Sequence, residues 1–212
     1  MSNIVKFGNA ELPTIADVAA ALRDHPPVSA QPQGKVFLKM DRTGHWVYGA
    51  DQTEIEADSV WAVNPVSFTH GFIAWGEGAV LLAQKVAPIT VKRDDIEADL
   101  EPAPVQSPNG WQYEMGFSMV CTSGEDQGLE VRFATTTNGG VRATQGLINA
   151  LRDQLNEDVS RPVPLVKLGK EAYQNKNYGR IFNPVFNILE WVSNGEGSAS
   201  PSEAEPVRRR RG

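Results

Sequence analysis

Cysteine, histidine and long apolar runs are what this chain has least of. The single cysteine, Cys121, excludes an intramolecular disulfide and a cysteine-based zinc site. The histidines His25, His45 and His70 are scattered, with no pair at i,i+4 and no HExxH, so a histidine-rich metal site is not expected. No stretch approaches ~18 consecutive apolar residues, which argues against a transmembrane helix. Met1–Lys6 carries no charged segment ahead of an apolar run, so a secretory signal is not expected. Neither a Walker-type phosphate loop nor a GxSxG nucleophile elbow occurs. Cys121 ends an apolar run beside Ser123, Glu125 and Asp126, a setting that disfavours a thiolate and suits a buried structural residue. With no nucleophile–base pair and no ligand set to assemble, the expectation is a non-catalytic protein without metal or cofactor.

What is present is ordinary for a globular protein. Of 212 residues, 41% are hydrophobic and 22% charged, enough to bury a core within one decorated domain. Charge is unevenly placed. Residues 1–160 hold 11 basic against 21 acidic residues, a net −10. Residues 161–192 hold 5 basic against 2 acidic, a net +3, and 193–212 hold 4 against 3, a net +1. Such asymmetry can mark a polyanion-binding face on an acidic protein.

The pattern divides the chain into an N-terminal arm, short helix and linker over 1–34, a β-rich core over 35–192, and a disordered tail over 193–212. Thr14 and Asp17 form a capping box ahead of Ile15, Val18, Ala19 and Leu22, and Pro26-Pro27 ends that helix. Val36–Met40 and Trp46–Tyr48 read as a hairpin, Asp58–Asn64, Ser67–Trp75 and Ala79–Val86 as further strands. Residues 93–110 are acidic and Pro-rich and read as a long loop. Trp111–Cys121 and Leu129–Thr136 are strands, and Asn138-Gly139-Gly140 breaks the pattern before a helix carrying Val141, Thr144, Leu147, Ile148, Leu151 and Leu155 on one face. Val163–Leu168 and Arg180–Val192 are the last strands, joined by a loop over Gly169–Gly179. The fold class is therefore β-rich α+β: an OB-like or Greek-key antiparallel barrel with an inserted helix, plus the N-terminal helix and the tail.

The chemistry-bearing stretch is Lys167–Trp191. Lys167, Lys170, Lys176 and Arg180 interleave with Tyr173, Tyr178, Phe182 and Phe186. Single-strand binders need cations along the phosphate path and aromatic faces for the bases. The nucleic-acid-binding set is thus Lys167, Lys170, Tyr173, Lys176, Tyr178, Arg180 and Phe182, with Trp46, Tyr48 and Trp111 in second rank. The run Tyr178-Gly179-Arg180-Ile181-Phe182-Asn183-Pro184-Val185-Phe186, ending in Glu190-Trp191, resembles small proteins encoded by tailed bacteriophages. The nearest functional class is the phage OB-fold single-stranded-DNA-binding proteins. The resemblance covers residues 111–192 and implies DNA replication in the host cytoplasm, with single-stranded DNA or RNA as partner, self-association as a further partner class and no membrane. Many such proteins end in an acidic tail, whereas this chain ends in Arg208–Arg211 and Gly212. The rival reading is a phage structural, assembly or decoration protein.

Overall fold

Ten residues of one strand, Gln112–Cys121, organise the molecule. The structure, a computed structural model, describes residues 4–5 and 36–194. The expected helix at Thr14–His25, the linker up to Gly34 and the tail from 195 onward lie outside the described residues. In chain order the strands are β1 (Ile4–Val5), β2 (Val36–Met40), β3 (Trp46–Tyr48), β4 (Thr53–Glu54), β5 (Val60–Val63), β6 (Thr69–Trp75) and β7 (Leu81–Pro88). Helix α1 (Arg93–Ala98) leads to β8 (Gln112–Cys121) and β9 (Glu130–Thr135), then α2 (Asn138–Glu157), β10 (Val163–Asn175) and β11 (Gly179–Asn194).

Met115 through Cys121 are all buried, because β8 is apolar on both faces and flanked on both edges. Along one edge lies β9. Along the other lie β5, opposite the C-terminal part of β8, and β6, opposite its N-terminal part. Asn64-Pro65 separates β5 from β6, since proline offers no N–H to a ladder. The break is closed by one main-chain and one side-chain bond: Asn64 N–H donates to Ser118 O (2.9 Å), and Ser67 Oγ accepts from Ser118 N–H (2.8 Å). From this fork β5 continues into β10 and β11, and β6 into β7. The full order is β1-β11-β10-β5-β8-β9-β2-β3-β4, with β6 and β7 off this path.

The sheet is mixed rather than antiparallel throughout, because β2 runs parallel to β9 and β1 parallel to β11. It curls around one main core containing Leu38, Trp46, Trp61, Phe117, Phe133 and Val166, over which α2 lays Leu147 and Leu151. The expected helical stripe is thereby confirmed at Thr144, Leu147 and Leu151, all buried. A second cluster, Ala62, Val120, Val163, Leu165 and Val192, lies on the other face of the sheet.

Four local expectations are corrected. Residues 93–110 are not loop throughout: Arg93–Ala98 form α1, which buries Ile96 against Phe72 and Ala87. Asn138-Gly139-Gly140 are the first turn of α2 rather than a break, with Thr137 as N-cap accepting from Gly140 N–H (3.1 Å). The glycines are needed for room, since a Cβ on Gly139 would collide with Asn183 and one on Gly140 with Thr135. The segment expected to be a loop at Gly169–Gly179 continues both strands almost to a tight turn. Ser193 and Asn194 belong to β11, paired with Ile4 and Val5, instead of opening the tail.

Candidate nucleic-acid interface

The β10–β11 ladder runs without interruption from Val166/Ile188 to Asn175/Gly179. Beyond Lys167, β10 has no strand on its outer edge among the described residues. The outer six pairs, Lys170/Pro184 to Asn175/Gly179, therefore project as a two-stranded ribbon about 20 Å long, at ~3.4 Å per residue. Its tip is built by local polar bonds. Asn175 Oδ1 accepts from the N–H groups of Asn177 (2.8 Å) and Tyr178 (3.2 Å). Gly179 sits at φ +75 with open space around its missing Cβ, so the glycine serves the turn and not a close approach.

Pairing assigns each side chain to a face. Lys170, Ala172/Phe182 and Gln174/Arg180 share the face continuous with the core residues Leu168 and Phe186. On it, the Lys170 ammonium lies 5.4 Å and the Arg180 guanidinium 5.1 Å from the Phe182 ring centroid. Tyr173, paired with Ile181, lies on the opposite face and is exposed. Tyr178 at the tip is 80% exposed, and Lys176 beside it is exposed too. Lys167 stands apart at the root, its ammonium 3.0 Å from the Asp58 carboxylate. The structure thus brings together Lys170, Arg180 and Phe182, sets Lys176 and Tyr178 just beyond them, and separates Tyr173 and Lys167.

The ribbon is anchored by residues that spacing did not single out for this purpose. Trp46, rather than presenting a free ring, is buried and donates Nε1–H to Gly169 O at 3.0 Å. Its ring packs on Phe133 and Phe186, with centroids 5.7 and 5.8 Å apart. Gly44, in the β2–β3 turn at φ +82, seats the main chain against Phe182 and Lys170, where a Cβ would come within 2.6 Å of the Phe182 ring. That turn is tightened by the Asp41 carboxylate, which accepts from Thr43 N–H and His45 N–H, both at 2.8 Å. Those bonds, led by the one from His45, hold the Asp41 carboxyl below its usual range. The other second-rank rings are likewise engaged: Tyr48 O–H donates to Asp126 (3.0 Å) and Trp111 Nε1–H to Glu101 O (2.8 Å).

Elsewhere the titratable groups are structural in setting. Cys121 is buried, its thiol donates to Ser123 O (3.0 Å), and burial pushes its pKa up. His70 is buried with both ring nitrogens occupied. Because Val91 O only accepts, Nε2 carries the proton (2.7 Å), and in the neutral ring Nδ1 accepts from Tyr113 O–H (2.9 Å). Burial, aided by the nearby Arg93 charge, lowers the His70 pKa against a smaller opposing effect of the Val91 hydrogen bond. No group of three or more His, Cys, Asp or Glu could hold a metal ion among the described residues. No helix among them is long and apolar enough to cross a membrane. Comparison with protein-family models, with curated proteins and with solved structures finds no match for the chain.

Proposed function

We propose that this protein binds single-stranded nucleic acid, DNA in the first instance, through the projecting β10–β11 ribbon, without catalysis. The observation that carries the reading is how the cations are held. Lys170 and Arg180 flank the Phe182 ring and form no ion pair among the described residues, so their N–H donors remain open to phosphate. Lys176 and the Tyr178 ring extend the same side chain chemistry to the tip. Phe182 is half-buried and holds the two cations, and the exposed Tyr178 ring beyond them offers a base the face it needs for stacking.

The topology supports an OB-like frame for this ribbon. With β5–β6 counted as one kinked strand and β7 as an insertion, the order β11-β10-β5-β8-β9 is 5-4-1-2-3. It contains the 4-1-2-3 order of a Greek key. Helix α2 falls between the third and fourth strands, so the ribbon corresponds to the loop joining strands four and five, one of the OB loops that contact oligonucleotides. The β2–β3 hairpin occupies the far edge of β9, and Trp46 links it back to β10.

Substitution of Tyr178 by Ala tests the reading. A solvent-facing ring that stacks on a base contributes ~1–3 kcal/mol of binding. Its removal should change folding stability by no more than about 0.5 kcal/mol. Fluorescence titration with an unstructured oligonucleotide and chemical denaturation of the same variant measure both. Unchanged affinity removes the tip from the interface and returns weight to an assembly or decoration role.

A further inference from the structure

A concavity lies on the flank of α2 away from the ribbon. This cleft, of about 720 Å³, opens between α2 and the start of β8, with His70 and Arg93 on its wall. Its size is that of small-molecule sites. Asn138, Gln145 and Asn149 project into it from α2, spaced by 7 and 4 residues, so they form one row along the helix. The three amides are exposed, and no hydrogen bond engages any of them among the described residues, nor Gln112 across the cleft, so their donors and acceptors are free for a ligand. Each amide offers an acceptor and two donors. Beneath the row, Met115, Val141 and Ile148 supply an apolar floor.

Among the described residues one cation and no carboxylate line the cleft. Arg93 is positioned by a chain of contacts: Val91 O fixes His70, His70 fixes the Tyr113 hydroxyl, and the Arg93 guanidinium lies 4.4 Å from the Tyr113 ring centroid. Among the described residues its only ion pair is the exposed one with Glu97, at 3.7 Å. A guanidinium held by a ring face keeps most of its fork of donors for an anion.

We propose that this cleft binds a nucleotide unit, with Gln145 and Asn149, one turn apart, reading the base edge, the apolar floor taking the base face and Arg93 taking the phosphate. Asparagine and glutamine amides match the adjacent donor and acceptor of a base edge, and guanidinium is suited to phosphate. A neutral sugar would leave Arg93 unused, and a small dicarboxylate would leave the floor and the amides unused. The site is independent of the ribbon and does not rest on the ribbon's role. The same chemistry is presented by a free nucleoside monophosphate and by one residue of a strand.

Calorimetric titration of the full chain with deoxyadenosine monophosphate, thymidine monophosphate, a trinucleotide and inorganic phosphate tests it. Saturable binding of a monophosphate or the trinucleotide is expected, with none by phosphate alone. Binding by the trinucleotide only would assign the ligand to a strand. Gln145→Ala/Asn149→Ala, at two exposed positions, should weaken that binding roughly ten-fold or more, and Arg93→Ala should do the same. The Gln145/Asn149 variant should lose mononucleotide binding and Tyr178→Ala oligonucleotide binding, so loss at the cleft and loss at the ribbon are read separately. No saturable binding of any nucleotide up to millimolar concentration, or equal binding by the Gln145/Asn149 variant, would overturn the assignment.

Discussion

The indole N–H of Trp46 donates to the carbonyl of Gly169 at 3.0 Å, joining strands 123 residues apart. No ladder links β3 to β10, so this single bond and the packing around it tie the β2–β3 hairpin to the root of the ribbon. Trp46→Phe keeps an aromatic ring against Phe133 and Phe186 but leaves the Gly169 carbonyl unpaired. A loss of about 2 kcal/mol in folding stability is expected from the orphaned acceptor. Amide exchange at the base of the ribbon should accelerate as well. Denaturation and hydrogen exchange on the variant check both, and unchanged exchange would mean that the ribbon root is held by its own ladder alone.

Thr144 on α2 is fully buried, and its Oγ1 has no hydrogen-bond partner among the described residues. A buried hydroxyl without a partner costs about 1–3 kcal/mol on mutational scales. Thr144→Val keeps the shape and removes the hydroxyl, so stability should rise by about 1 kcal/mol, read as a higher denaturant midpoint at constant slope. A destabilised Thr144→Val would show that the hydroxyl is satisfied in solution.

The buried His70 links stability to pH. Its folded pKa is lowered from 6.5, chiefly by burial, so the unfolded chain takes up the proton more readily. Stability from this group is complete above the unfolded pKa and is lost as pH falls through 6.5 toward the lower folded value. Between about pH 7 and about pH 5 the wild-type Tm should therefore fall more steeply than that of His70→Gln, which starts lower. Parallel pH profiles in the two proteins would place the titration elsewhere.

Much of the core was legible because burial imposes a period. The stripe Thr144, Leu147, Leu151 and the run Met115–Cys121 are written in side-chain hydrophobicity, and both appear where spacing put them. The ribbon was legible in composition but not in conformation. Lys170-Glu171-Ala172-Tyr173-Gln174-Asn175 has no alternation, since both of its faces meet solvent, and it is a strand only through pairing with Gly179–Pro184. Helix α1 was hidden by its single buried apolar side chain, Ile96, in an acidic stretch. The cleft left no local signal at all: its residues come from β6, α1, β8 and α2, and only folding unites them.

The most direct test of the ribbon as the binding element is the salt dependence of affinity for an unstructured oligonucleotide, compared between wild type and the Lys170→Ala/Lys176→Ala/Arg180→Ala variant. Each phosphate contact on a single strand contributes ~0.7 to the slope of log affinity against log salt. The triple variant, with its substitutions on an exposed ribbon, should fold normally, bind more weakly at low salt and show a slope smaller by ~2. An identical slope in the two proteins would contradict the assignment of the ribbon as the nucleic-acid interface.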